Sequence, residues 1–416
     1  MAKQFHLADL FETVAQTVPD RLAIISDSTR LTYAELNDQA DRLATGLAAH
    51  GVTRGDKVGL YLYNGPAYLL GFIAACKLGA VPYNVNYRYR ADELRYLFAN
   101  ADSAAILHGA EFTPIIQDVR GDVPTLKVTV AVPDGSGADI SGSVDYADLL
   151  ASTPAGPWER GEEDIILSYT GGTTGMPKGV MWPHRAFLFA CAGGAGHFNP
   201  SGPVQKPEDI ADRAANGYPL KMFPLAPLMH MAAIWATWSA MLNGLTIILD
   251  ESRAFDPQKI FDTVEREGAN LIQFVGDAMA TPLRDTLRAN PGRWKLDHVM
   301  NLGSGGAVFS QHLKDDLKAM VPSANITDGM GSSETGVSGM AEKSAEGVMR
   351  LPANENQQVI VDDRIGTIGE PALSRAPEIR PLAIITIRSK LLKRSKQSRA
   401  SYGPYRAMLA AWMKMV

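Results

Sequence analysis

The chain has 416 residues, 46% hydrophobic and 20% charged, with 38 glycines and only two cysteines, Cys76 and Cys191. That length can bury a large core over two or more subdomains, and two cysteines exclude a disulfide framework or a cysteine-built zinc site. The net charge of −5 is uneven: residues 379–416 hold nine Lys/Arg and no acid, so residues 1–378 carry −14, which speaks against a nucleic-acid partner.

In chain order, the spacing of apolar residues predicts a helix over 8–15, reached from Met1 with no signal-peptide pattern, and then a short strand at 22–25. Thr32 with Glu35 three residues on reads as a capping box, opening a helix that stops at Gly51. A strand at 57–62, an apolar helix over 68–78, a strand from 80, a helix over 91–100 and a strand at 104–107 follow. Residues 133–163, rich in Gly, Ser, Pro and Asp, read as a surface excursion, and residues 199–221 as a surface loop. Between them lie a buried strand at 165–168 and a helix beyond His184. Strands at 245–249, 271–275, 298–302 and 324–327 then alternate with helices over 257–268, 279–288 and 310–320. This alternation predicts an α/β fold with helices on both faces of a mostly parallel sheet. No run of 18 apolar residues occurs, so no transmembrane segment is expected, and a cytoplasmic enzyme is the default.

The stretch richest in chemistry is Tyr169-Thr170-Gly171-Gly172-Thr173-Thr174-Gly175-Met176-Pro177-Lys178-Gly179. Glycines let backbone N–H groups turn toward an anion, threonine hydroxyls add donors, and a lysine adds a mobile positive charge. These are the parts of a polyphosphate cradle. The common P-loop needs Gly-Lys-Ser/Thr opening a helix, whereas Lys178 here is flanked by Pro177 and Gly179. Three further segments follow strands, where open α/β sheets bind ligands. They are Gly303-Ser304-Gly305-Gly306-Ala307, the run Asp328-Gly329-Met330-Gly331-Ser332-Ser333-Glu334, and the apolar run Pro224 to Met231 with its lone His230. Taken singly, the first reads equally as a tight turn, the second as a helix N-cap and the third as a core histidine. Asp277 reads as an N-cap.

Together these strings resemble the adenylate-forming (AMP-dependent synthetase/ligase) superfamily, and look most like bacterial fatty-acyl-CoA synthetases. The resemblance spans roughly residues 7–371. It implies two doubly wound, mostly parallel sheets with helices between and around them, as subdomains 1–160 and 161–371. It further implies that Thr170, Gly171, Gly172, Thr173, Thr174, Gly175 and Lys178 hold the phosphates of ATP. Gly305, Gly306 and Ala307 would lie against the adenine and acyl chain, Met330 against the purine face in place of the usual aromatic, and Gly331 and Ser333 beside the α-phosphate. Thr170 and Glu334 would share Mg²⁺, with Lys178, His230 and Glu334 as the catalytic set. CoA is the implied co-substrate and a fatty or other hydrophobic acid the substrate. An acyl-AMP ligase serving a carrier protein, or a non-catalytic nucleotide- or acyl-binding remnant, are the alternatives, and a homo-oligomer is possible.

The family's later Thr-Gly-Asp motif and lysine-bearing C-terminal lid have no counterpart after Pro371. Residues 372–416 are therefore expected to be a basic tail outside the family pattern, disordered or out of frame, with a basic amphipathic segment over 391–416 on an anionic membrane surface as the alternative. Without ribose anchoring and the lid, the chain alone is expected to show impaired ligase turnover.

Overall fold

A computed structural model describes residues 3–340 except 28, 171–175 and 197–201, and four two-residue strands beyond them. Those four form two antiparallel pairs, Glu342–Lys343 with Met349–Arg350 and Ile360–Val361 with Arg364–Ile365, in a unit separate from the one ending at Met340. The reading of residues 372–416 falls outside the described residues.

The strands of the main unit are β1 (Leu22–Ile25), β2 (Arg30–Thr32), β3 (Lys57–Tyr61), β4 (Val81–Asn84) and β5 (Ser103–Gly109). They continue as β6 (Val128–Val132), β7 (Val144–Asp145), β8 (Ile165–Thr170), β9 (Lys178–Pro183) and β10 (Lys221–Pro224). The last five are β11 (Thr246–Ile248), β12 (Leu271–Phe274), β13 (Asn301–Gly305), β14 (Asn325–Ser332) and β15 (Gly336–Met340). One sheet runs β15-β14-β13-β12-β10-β11-β1-β2 and the other β7-β6-β5-β3-β4-β8-β9. Pairing is parallel except at the edges, where β1–β2, β14–β15 and β8–β9 are antiparallel. The expected α/β architecture of two mostly parallel sheets is what the chain builds.

The sheets interleave along the chain, with β1 and β2 in the same sheet as β10–β15. The helices Leu7–Thr17, Tyr33–Ala49, Pro66–Lys77 and Met231–Met241 share one core with Leu60, Leu107 and Val130 of one sheet and Ile24 and Ile247 of the other. They form the layer between the sheets. Pro66–Lys77 and Met231–Met241 are apolar nearly all round, as a helix covered on every side must be. Trp238 and Phe72, both buried, lock them together with ring centroids 5.5 Å apart. Lys77, at the end of one such helix, is buried and pairs with Glu12 and Asp41, each at 2.7 Å. Smaller cores on the outer faces hold the helices Pro257–Glu267, Gly276–Ala289 and Gln311–Met320 on one sheet, and Ala91–Asn100 and Thr113–Arg120 on the other.

The Thr32 capping box forms as read: Thr32 Oγ1 accepts from Glu35 N–H at 3.2 Å and Glu35 Oε2 from Thr32 N–H at 2.8 Å. Three readings need correction. Residues 199–221 are not wholly loop, because Asp209–Asn216 is a helix whose Ile210, Arg213 and Ala214 are buried. The strand expected at 298–302 lies at 301–305, since pairing with β12 and β14 carries extended backbone through the glycines. Asp277 does not cap its own helix. Its carboxylate accepts from the N–H of Ser310 at 2.7 Å and from the Ser310 hydroxyl, fixing the start of the next helix, Gln311–Met320.

Candidate active site

The C-terminal ends of β8, β12, β13 and β14, with Met222 of β10, surround one cavity of about 1310 Å³. Thr170, His230, Gly305, Gly306, Met330, Gly331 and Ser333 all line it. The structure thus brings together residues from four separate sequence segments and from both sheets. Gly171, Gly172, Thr173, Thr174 and Gly175 fall outside the described residues. Lys178, Ala307 and Glu334 are exposed. Each adjoins a lining residue: Lys178 pairs across the hairpin with Thr170, Ala307 follows Gly306, and Glu334 follows Ser333.

Local geometry explains several of these positions. Gly306 has φ +86°, a left-handed conformation that disfavours any side chain, and it turns the chain away from β13. A register shift between Met330 and Gly331 bulges β14 against β15. Such a bulge re-aims side chains locally, so successive residues from Met330 to Ser333 meet the cavity. A Cβ at Gly331 would collide with the Gly336 carbonyl, so that tight hairpin needs glycine. Upstream of the bulge Asp328 turns away and pairs with Lys314 at 2.7 Å.

Three contacts that sequence reading missed hold the site together. Asn84, buried at the end of β4, donates from Nδ2 to the carbonyls of Tyr169 at 2.8 Å and Met229 at 2.6 Å, and its Oδ1 accepts from Tyr169 N–H at 2.7 Å. One carboxamide therefore ties the residue before Thr170 to the residue before His230. Asn64 clamps the same run, donating to the Ala226 carbonyl at 3.3 Å and accepting from Leu228 N–H at 2.7 Å. Trp182 of β9 donates its indole N–H to the Ser333 carbonyl at 2.9 Å, joining the lysine-bearing hairpin to the Ser333–Glu334 turn. Nothing local in sequence marks these residues, because their partners lie 85 to 164 positions away.

Asn84→Ala should destabilise the fold by at least about 3 kcal/mol, since it orphans one buried N–H and two carbonyls at about 1–3 kcal/mol each. Urea unfolding measures this, and a loss below about 1 kcal/mol would show the clamp to be incidental.

His230 precedes the helix Met231–Met241 with φ −107° and ψ 136°, and its ring opens on the cavity. Desolvation by the surrounding protein, then the charge of Arg88, lower its pKa, so the ring is neutral at neutral pH. A neutral imidazole can accept or donate one proton beside an anionic substrate.

Among the described residues no cluster of three or more His, Cys, Asp or Glu could cage a metal. The Thr170 hydroxyl, the Glu334 carboxylate and the hydroxyls of the turn suit Mg²⁺, which keeps several waters and takes one or two protein oxygens beside substrate phosphates. Thr335 N–H and hydroxyl both meet the Ser332 hydroxyl, at 3.3 and 3.0 Å, which shapes the turn presenting Glu334. No helix among the described residues is long and apolar enough to cross a membrane.

Known proteins resemble this chain in sequence and in fold. A family model described as AMP-binding enzyme matches residues 11–377. The medium/long-chain-fatty-acid–CoA/3-oxocholest-4-en-26-oate–CoA ligase of Mycolicibacterium smegmatis is 38% identical over 371 residues, covering 86% of this chain and 66% of that protein. The 3-oxocholest-4-en-26-oate–CoA ligase of Rhodococcus rhodochrous is 36% identical, with 86% and 66% covered. The chain thus spans just under two thirds of the length of these relatives. In fold it resembles the N-terminal domain of FACL13 from Mycobacterium tuberculosis, with TM-score 0.67 and 23% identity over 86% of this chain and 87% of that one. It also resembles a long-chain-fatty-acid-CoA ligase, FadD1, from Archaeoglobus fulgidus, with TM-score 0.71 and 18% identity over 89% and 74%.

Proposed function

Because the chain belongs to the AMP-binding enzyme family, we propose that its cavity activates a hydrophobic carboxylic acid with ATP and serves an acid–CoA ligase. The substrate carboxylate attacks the α-phosphorus, the bond to the bridging oxygen breaks, and pyrophosphate leaves, giving acyl-AMP. The thiol of CoA then displaces AMP to give the thioester. The observation that carries this reading is the shared cavity: Thr170, His230 and the Met330–Ser333 run line the same space.

In this reading residues 170–178 hold the phosphates, and the Lys178 ammonium compensates charge as pyrophosphate departs. Neutral His230 orients the acid's carboxylate beside the α-phosphate. Gly305, Gly306 and Ala307 lie against the adenine and the start of the acyl chain, and Met330 covers the purine. Thr170 and Glu334 would hold Mg²⁺, whose charge offsets that of the phosphates. The apolar helix Met231–Met241 walls the acyl part of the cavity, which suits a fatty or other hydrophobic acid. A cytoplasmic location belongs to the same proposal.

Calorimetric titration with magnesium–ATP and separately with octadecanoic acid tests the reading. Binding of both, each raising the other's affinity, is expected. Absence of any nucleotide binding by folded protein would sink it.

A further inference from the structure

The cavity is not an apolar tube. It reaches past the C-terminal strand ends to Leu271 and Asn301, the first residues of β12 and β13. At roughly 3.3 Å per residue this follows about four residues of strand, on the order of 13 Å. The alternating side of the sheet that forms its floor places Gln273, Gly303 and Thr327 side by side in register, with Leu271 and Asn301 two residues back. Gly303 has no side chain, and Asn301 Nδ2 and Thr327 Oγ1 fill the space over it, 3.0 and 3.1 Å from where a Cβ would sit, with Gln273 on the strand to its other side. Asn301 Nδ2 donates to Thr327 Oγ1 at 3.1 Å. Gln273 Nε2 donates to the Phe274 carbonyl at 3.0 Å, while its Oε1, shut off from solvent, has no hydrogen-bond partner among the described residues. The opposite wall, with Met231 and Trp235, is mostly apolar, with the buried Trp235 indole N–H also lacking a hydrogen-bond partner among the described residues.

An acceptor left unpaired in such a place is costly, and a purely hydrocarbon chain lying over it leaves it unpaired. The terminal torsion of a glutamine is soft, so rotation about it can present Oε1 to a ligand, giving up the Nε2 bond to the Phe274 carbonyl. A hydroxyl satisfies the floor best, donating to Gln273 Oε1 and accepting from the Thr327 hydroxyl; a keto oxygen can only accept. We propose that the acid taken by this cavity carries a hydroxyl group part-way along its hydrophobic body, recognised by Gln273 and Thr327. The inference rests on the acid-activating reading above.

The test is equilibrium binding, followed by tryptophan fluorescence, of octadecanoic acid and of a series bearing one secondary hydroxyl at successive mid-chain positions. One member of the series should bind at least tenfold more tightly than the parent. Gln273→Met and, independently, Thr327→Val should each reduce that preference to about twofold or less while leaving the parent acid's affinity within about threefold. Equal or weaker binding of every hydroxylated acid overturns the inference and leaves acid activation standing. So does a preference that survives both substitutions. Failure of every acid to bind overturns both.

Discussion

Lys178→Ala should lower acyl-AMP formation by about a hundredfold or more in single-turnover mixing with magnesium–ATP and acid, while binding of the acid alone stays unchanged. The side chain starts β9 opposite Thr170, exposed at the end of the hairpin where the two strands are connected, and the one lysine or arginine lining the cavity itself among the described residues is Arg213, on the helix Asp209–Asn216. Charge grows on the departing pyrophosphate, and deleting a positioned donor at such a point costs about 10²–10³ in rate. Lys178→Arg keeps the charge but changes its shape, so it should recover only part of the loss. Acyl-AMP formation within about threefold of the parent after Lys178→Ala would remove the lysine from the mechanism. Weaker acid binding in the same variant would instead indicate a disturbed fold.

Acid should unfold the protein well before its carboxylates titrate. His6 and His184 stack 3.9 Å apart in the layer between the sheets, both buried. His184 Nδ1 accepts from Leu7 N–H at 3.1 Å and His6 Nδ1 from Ala8 N–H at 3.2 Å, so both rings are neutral and protonated on the other nitrogen. Protonating Nδ1 would break these bonds, which start the helix Leu7–Thr17, and would place two cations face to face. Desolvation first, then Arg160, lowers the pKa of His184 from 6.5 to about 3. Desolvation, then His184, lowers that of His6 as well. Burial also lowers His108 to about 4.

A folded pKa below the unfolded value means that this stability is complete above about pH 6.5 and is lost as the pH falls. Each such ring costs about 1.4 kcal/mol per pH unit, so His184 alone removes about 3 kcal/mol by pH 4.5. Glu12 contributes separately. Its burial would raise the pKa, but Lys77 and Arg160 outweigh it and hold the carboxyl below its usual 4.5, so its share is lost only at lower pH. Urea midpoints measured between about pH 7 and pH 4.5 therefore isolate the histidines. His184→Gln, which can still accept from Leu7 without titrating, should flatten that slope. An unchanged slope would contradict the assignment.

Much of the candidate site was legible because the patterns that mark it are local. The glycines and threonines before Lys178, the glycines of 303–306 and the Ser333–Glu334 pair each advertise phosphate or ligand contact within a few residues. The helix at 209–216 was missed because only Ile210, Arg213 and Ala214 face inward, in a run that is otherwise polar. The 298–302 strand was displaced by three residues because sheet pairing, rather than β-propensity, keeps the glycines of 303–305 extended. Residues 133–163, read as an excursion, contribute β7 to a sheet edge for the same reason.

From the sequence came the α/β alternation and, through the resemblance its short motifs carry, the candidates Thr170, Lys178, His230 and Glu334, since periodicity and short motifs are properties of neighbours in the chain. Tertiary structure alone decided that β1 and β2 join the sheet of β10–β15, that Asn84 and Trp182 bind the two sheets at the site, and that Gln273 and Thr327 flank a glycine in register. Those relations depend on register between strands distant in sequence, which no local pattern encodes.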